Sequence, residues 1–519
     1  MPSPRPATSR QLSWSGCRHH RPRRPPGSCK TEPAPTRFEL PGLPGHDDAF
    51  ALAGRSFTVT ATGDTLPTAS RVADPGLRAL YRQENRWQAW LDVEAALARA
   101  QAELGIIPAA AAEAIAVKAK LGLMDRNRIE EGFARTGHTL VPLVWELGRI
   151  VGEPHGGWVH WGATTQNITQ TGDLLVLRQA HAIILGQIGE ILTAMAGLAE
   201  RTADMPMAGR THGQHAVPAT FGYKVAVWID ELLRHVERLR QAAPRLFVAM
   251  LGGGAGTFAS LGKQGPPVQA AIGRLLGFGS MAVPSRALGD HLAENICILG
   301  LLAATGGKIG REIYTLMKTE FGEVEEPVPP GTVGSSTMPQ KRNPKLCQDV
   351  IAAAADVRAQ VPLALEAMTT EHEADRTTTL IMDGAEARAC IATGDMLARL
   401  GEIMRGLRVD PKRMRVNLDL GGGLIMAEAV MLELGSAIGR QHAHDIVYDA
   451  AQAAFVDGRP FSDLLVSDRR LTKHLDRRAI DRLLDPTAYT GLCAGMAREA
   501  ALRARTAAAG LPPPASLGA

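Results

Sequence analysis

Three stretches of this 519-residue chain, at 155–168, 204–219 and 322–344, have the wrong composition for helix and carry residue types that do chemistry. The last contains Gly334-Ser335-Ser336-Thr337-Met338-Pro339-Gln340-Lys341-Arg342-Asn343-Pro344. It offers two hydroxyls, a cation and an amide on a loop punctuated by glycine and proline, a set suited to gripping an anion. A surface loop with a merely solvated lysine is the competing reading. The middle stretch holds Gly209-Arg210-Thr211-His212-Gly213-Gln214-His215-Ala216-Val217-Pro218. A His-x-x-His pair could bind a metal, but no third ligand stands at helical spacing nearby, so hydrogen-bonding histidines are the better reading. The first stretch holds Val159-His160-Trp161-Gly162-Ala163-Thr164-Thr165-Gln166-Asn167-Ile168, with Thr136-Gly137-His138-Thr139 upstream. Its hydroxyls suit a carboxylate, although a Thr-Thr pair also serves as a turn or helix cap.

Such loops need rigid elements to hold them, and the composition points to helices. The chain is rich in Ala, Leu and Arg with only 4% aromatic residues, which favours helices packed through small aliphatic side chains over sheets. The stretch Trp87, Trp90, Leu91, Glu94, Ala95, Ala98 forms an apolar stripe with one acid on it, and Gly105 with Pro108 reads as its stop. Longer periods follow through Ile184, Ile188, Ile191, Leu192, Met195 and Leu198, and through Phe221, Val225, Trp228, Ile229, Leu232, Val236 and Leu239. Leu292 to Leu316 gives a third, with Gly306-Gly307 inside it. These patterns predict an all-α protein organised as an N-terminal helical lobe (71–172), a central long-helix bundle (173–379) with its functional loop at 322–344, and a C-terminal domain of shorter helices (380–508).

Residues 1–70 are rich in Pro, Arg, Ser and Gly without helical period and read as a disordered basic extension, and 509–519 as a tail. The prolines oppose an amphipathic organelle-targeting helix. The net charge of +4 is small and much of it sits in residues 1–31, so the remainder makes no electrostatic case for nucleic acid. The longest apolar run, around Ile296 to Thr305, is shorter than the roughly 18 to 20 residues of a bilayer span. Six scattered cysteines fit a reducing cytoplasm. The Gly252–Thr257 run lacks the Lys-Ser/Thr of a phosphate cradle, so close backbone packing is its reading, and His442 and His444 read as ordinary helix residues.

The Gly334–Pro344 loop matches the GSSxMPxKxNP signature of the fumarase/aspartase superfamily at every fixed position, and the other two segments resemble that family's conserved regions in the same order. The resemblance runs from about Val72 to Arg505 and is strongest to adenylosuccinate lyases and 3-carboxy-cis,cis-muconate cycloisomerases; Gly421–Glu428 and Leu484–Leu492 look like the latter. It implies a three-part subunit assembling into a homotetramer with a twenty-helix core and active sites shared between subunits, acting on a small dicarboxylate without metal or other cofactor. By the same resemblance Ser335 is the general base and Lys341 and Asn343 stabilise the dianionic intermediate. His212 is the general acid and His138 supports it. Thr164, Thr165, Gln166, Thr211, Gln214, Ser336, Met338 and Arg376 contact the substrate. The implied reaction is elimination of fumarate from an N-succinyl compound, with cycloisomerase-type lactonisation and a non-catalytic structural relative as alternatives. His212 stands where cycloisomerases tend to carry Trp, which favours elimination. The adenylosuccinate lyase phosphate contacts are absent in clean form, and Glu371–Arg376 lacks the arginine usually placed after His-Glu, which weighs against a purine substrate. Asn167 stands where relatives commonly have Asp.

Overall fold

The computed structural model describes residues 66–513 except 330, 332 and 333. Most of the basic extension, the end of the tail and three residues of the 322–344 loop therefore lie outside the described residues. Five long helices dominate: Thr165–Arg201, Phe221–Leu246, Asp290–Leu316, Lys345–Glu366 and Arg376–Gly406. The first has 37 residues, about 55 Å at 1.5 Å per residue. Every apolar position of its expected stripe, from Ile184 to Leu198, is buried. Glycines set how closely the helices approach. A Cβ at Gly306 would lie 2.6 Å from Met396 Sδ, and one at Gly222 would lie 2.6 Å from the Ala199 carbonyl oxygen. The Gly306-Gly307 pair thus serves helix packing rather than breaking the helix.

The N-terminal lobe contains helices Gln83–Glu103, Ala109–Lys118, Arg126–Thr136 and Val141–Val151. Its first helix stops where expected, with Gly105 at φ +69° and Pro108 capping the next helix. Strand is confined to three small two-stranded pairings among the described residues, of which the antiparallel hairpin Pro206–Thr211/Gln214–Thr220 matters for the site. The architecture is all-α.

Several boundaries differ from the sequence reading. The divisions at 172/173 and 379/380 each fall inside a single helix. The second was misplaced because Arg376–Gly406 buries Glu386, Thr393, Asp395 and Arg399, and these polar residues interrupt its apolar period. The basic extension ends before residue 70: Thr68 is buried, its hydroxyl donating to Asp349 Oδ2 at 2.6 Å and accepting from Arg399 Nε at 2.8 Å. Nor is 380–508 one unit. Val430, Leu434, Phe461, Leu465, Leu471 and Ile480 form a small separate core. The last helix, Cys493–Ala509, returns to the bundle, where Ala500, Ala501 and Ala504 join the main core and Arg503 and Arg505 pair with Asp230 and Glu200.

Two helices, Thr165–Arg201 and Asp290–Leu316, are long and apolar enough to cross a membrane by length and composition. Two-thirds of each apolar window is buried inside the protein, and His181, Gln187, His291 and Asn295 are buried along them, as in core helices of a bundle.

Candidate active site

The Val159–Ile168 segment is built around the start of the Thr165–Arg201 helix. His160 adopts a left-handed backbone (φ +63°) that turns its ring back onto the preceding lobe, where Nδ1 lies 2.6 Å from Glu94 Oε1. Glu94 is the acid on the apolar stripe and is 2% exposed. Burial pulls the imidazole down, but the charge and hydrogen bond of Glu94 more than reverse this and leave it above its ordinary value. Gln101 Nε2 donates to the Trp161 carbonyl at 2.7 Å, and Ser260 Oγ donates to that of Gly162 at 2.7 Å.

Thr164 then caps the helix. Asn167 Oδ1 accepts from the Thr164 N–H at 3.0 Å and from the Gly253 N–H at 3.2 Å. That double duty accounts for Asn167: it fastens the glycine-rich turn to the helix start, which an uncharged amide does without adding a buried charge. The turn is tight, since a Cβ at Gly252 would meet both Gly256 Cα and the Pro284 carbonyl at 2.6 Å. Close packing is therefore what the Gly252–Thr257 run provides. Thr164, Thr165 and Gln166 are half-buried, and Gln166 shares a cleft with Gln170, Arg286, Thr370, Thr378 and Asp383.

Asp173 and Asp383 line the same cleft and belong to a charged cluster. Arg86 donates to both oxygens of Asp173, at 3.0 and 2.7 Å, and reaches Asp383 at 3.3 Å. Burial, with the neighbouring Asp173, raises Asp383, and burial together with Asp173 and Asp383 pushes Glu386 up to about 8.

His138 is exposed, and its Nδ1 accepts from the backbone N–H groups of Leu140 and Val141 at 3.3 and 3.2 Å. This caps the Val141–Val151 helix and leaves Nε2 as the outward nitrogen. Arg376, at the start of its helix, donates to Thr139 Oγ1 at 2.9 Å, so the structure brings Arg376 to the His138 segment.

His212 and Gly213 form the turn of the hairpin, with φ +52° and +78° between the Thr211–Gln214 pair. Both central residues at positive φ match a tight two-residue hairpin turn. Thr211, His212 and Gln214 are exposed at its tip. At the base, Arg210 donates to Glu323 Oε2 at 3.1 Å, and Glu323 is fully buried and also accepts from Asn417 Nδ2 at 2.8 Å. Burial, then the charge of Arg210, pulls His215 down. His212 and His215 gain no third partner: among the described residues no group of three or more His, Cys, Asp or Glu could hold a metal ion.

In the loop, Ser335 Oγ accepts from the backbone N–H of Met338 at 3.1 Å and of Thr337 at 3.3 Å. Two donors on one hydroxyl oxygen favour negative charge there. Asn343 Nδ2 donates to the Gly334 carbonyl at 2.8 Å, which draws the ends of the loop together. One of its two N–H donors is therefore committed to the loop itself. Glu326 accepts from the N–H groups of Leu346 and Cys347 at 2.9 and 3.0 Å, and Arg342 pairs with Glu325 at 2.7 Å. Ser336, Met338 and Lys341 are exposed.

Within one chain, then, Thr139 meets Arg376, and the Thr164–Gln166 segment meets Arg286. Among the described residues no hydrogen bond or ion pair joins the hairpin tip, the 334–343 loop and the helix start to one another. The sequence reading did not connect Glu94 or Arg286 to these segments. Glu94 had a signal, as an acid on an apolar stripe. Arg286 had none, because it lies in the irregular stretch before Asp290 and matches no motif.

The bundle thus presents three polar segments, one at a helix start, one at a hairpin tip and one on a loop with a doubly hydrogen-bonded serine, in the arrangement that the resemblance to the lyase family implies. Comparison with known families agrees: a model described as "Lyase" matches residues 69–359, and one described as "Adenylosuccinate lyase C-terminus" matches residues 423–500. The chain belongs to this lyase family, the fumarase/aspartase superfamily. It is 40% identical over 418 residues to N-acetyl-S-(2-succino)cysteine lyase of Enterococcus italicus, spanning 80% of this chain and 92% of that one. It is 40% identical over 423 residues to 3-carboxy-cis,cis-muconate cycloisomerase of Pseudomonas aeruginosa, spanning 80% and 91%. The crystal structure of a fumarate lyase from a Mesorhizobium species superposes with a TM-score of 0.77 at 36% identity, covering 83% of this chain and 98% of that one.

Proposed function

We propose that this protein is a lyase that releases fumarate from a succinyl-substituted small molecule. The observation that carries the reading is His212, held at the turn of a hairpin as an exposed acid–base group, in a chain that also keeps the serine loop intact. Ser335 takes the proton from the carbon beside a carboxylate, and the electron pair forms the new double bond. The bond from the neighbouring carbon to the heteroatom breaks, and His212 supplies the proton that the departing amine or thiolate takes up. Lys341 and Asn343 stabilise the extra charge that builds on the carboxylate. The exposed hairpin tip and loop support a site completed by other copies of the chain in a homotetramer.

The relative named for N-acetyl-S-(2-succino)cysteine widens the leaving group from nitrogen to sulfur, and the two succinyl classes share the same C–H abstraction. The test is fumarate formation, followed by its ultraviolet absorbance, from N-acetyl-S-(2-succino)cysteine and from adenylosuccinate, with Ser335→Ala as control. Fumarate from either substrate, lost in the variant, supports the reading. No fumarate from a folded oligomer, with lactone formed from 3-carboxy-cis,cis-muconate instead, replaces it with the cycloisomerase reading, which the Pseudomonas aeruginosa relative favours.

A further inference from the structure

Gln166 cannot serve as the substrate donor for which its position suggests it. Its Nε2 donates to Gln170 Oε1 at 3.1 Å and to the Arg286 carbonyl at 3.0 Å, which consumes both amide hydrogens. Its Oε1 accepts from Arg286 Nε at 3.0 Å, and because a guanidinium only donates, that contact also fixes which way the amide points.

Arg286 is held from a second side by the Gly254 carbonyl, which accepts from Nη1 at 2.7 Å. The guanidinium is thereby locked in place by two neutral acceptors, with no carboxylate against it among the described residues. It is half-buried, and burial draws its pKa below the ordinary arginine value. Its Nη2 donates to nothing among the described residues. Of the other cations of the region, Arg86 is paired with Asp173 and Asp383, and Arg376 donates to Thr139 and acts on Asp383 through its charge. Gln170 lines the same cleft, and its Nε2 is shielded from solvent without an acceptor. The cleft therefore holds an immobilised guanidinium with no carboxylate paired to it among the described residues, while the acids of its wall, Asp173 and Asp383, are taken up by Arg86, and such a guanidinium suits a carboxylate of a ligand.

We propose that Arg286 is the group at this end of the site that binds a carboxylate of the substrate, and that Gln166 is a positioning residue acting through it. This rests on the reading of the protein as a fumarate-releasing lyase. A fixed cation here selects a fully ionised carboxylate over an amide or ester at the same position.

Fumarate is the probe, titrated calorimetrically into the full-length protein and its variants. Arg286→Ala weakens fumarate binding on the order of 10- to 100-fold, the scale of a lost charge-assisted contact. Arg286→Lys, which keeps the charge but not the fork, falls between the two. Gln166→Glu puts a carboxylate against Arg286 and neutralises it, so it weakens fumarate binding like the alanine variant while leaving the melting temperature near that of the parent. A residue that merely supports the fold would not give that separation. Fumaramate, whose second carboxylate is an amide, binds the parent more weakly than fumarate and loses less on Arg286→Ala. Unchanged fumarate affinity in Arg286→Ala or Arg286→Lys, together with unchanged affinity in Gln166→Glu, overturns the assignment and leaves the lyase reading standing. A parent protein that binds no fumarate overturns the lyase reading itself, and this assignment with it.

Discussion

Replacing Glu94 by glutamine should loosen the His160–Thr164 segment without touching the loop that carries Ser335. The contact at stake is the 2.6 Å bond between His160 Nδ1 and Glu94 Oε1, made by a carboxylate that is 2% exposed. A hydrogen bond between charged partners contributes about 1.5–3 kcal/mol and a neutral one about 1 kcal/mol. The glutamine variant should therefore lose about 1–2 kcal/mol where His160 is protonated. The sign follows from the raised pKa of His160. A histidine whose folded pKa lies above its unfolded value, about 6.5, contributes its full stabilisation below that value and loses it as pH rises through the folded pKa. The gap between parent and Glu94→Gln should be widest in acid and close toward alkaline pH. Urea midpoints at one fixed protein concentration, taken across this range, measure it. A gap that stays constant or widens with pH refutes a charged His160. Under substrate turnover the same variant should raise KM more than it lowers kcat, because Glu94 holds the binding segment and contacts no reacting atom.

Ser335→Ala should reduce fumarate release by roughly 10²- to 10⁴-fold, the range for loss of a general base, with urea unfolding unchanged. Gly334→Ala should cripple turnover while the melting temperature barely moves: its Cβ would lie 1.9 Å from the Lys341 carbonyl, so the loop could not keep this shape, yet the loop is largely exposed. Gly222→Ala should act the other way. Its Cβ would lie 2.6 Å from the Ala199 carbonyl and 2.7 Å from Ala203 Cα inside the bundle, so denaturant unfolding should show a loss of about 1–3 kcal/mol, with the folded fraction still active. If active sites combine residues from different copies, mixing dissociated Ser335→Ala and His212→Ala proteins and reassembling them should restore activity at roughly a quarter of the sites. No recovery from a mixture shown to have exchanged subunits would place both residues in one chain's site.

Much of this was legible in the sequence, for identifiable reasons. The long helices announced themselves because Ile184 to Leu198 and Phe221 to Leu239 keep a clean 3.6-residue period. The Arg376–Gly406 helix was misjudged from the same rule, since its buried Asp395 and Arg399 pair with each other and look like surface residues in a bare sequence. The hairpin at 206–220 read only as a break in helix, because its strands are short and Pro206 and Pro218 blur any alternation. At the site, motif residues were found by type, but their partners were not. Gln166 was named without its partner, because nothing in the sequence reveals that Arg286, 120 positions away, uses its oxygen.

The two halves of the site differ in how firmly they are held, and that difference bears on the chemistry. The helix-start segment is tied by Asn167 to Gly253, by Ser260 to Gly162, by Gln101 to Trp161 and by Glu94 to His160, most of them at buried or half-buried groups. A carboxylate bound there, as proposed, would meet donors that are already oriented, so binding would cost little reorganisation. The serine loop is tied across its mouth mainly by Asn343 to Gly334, with its lysine in solvent. With Ser335 as the base, as proposed, water would have to be excluded around it, so this half would be covered during the reaction. Elsewhere on the bundle apolar side chains are bare, with Leu301 51% exposed, Leu363 and Val227 each 40%, and Leu365 50%. In the proposed tetramer further copies of the chain would cover such apolar faces, and catalysis as proposed further requires that a copy bring its His212 tip to a Ser335 loop that one chain leaves unconnected.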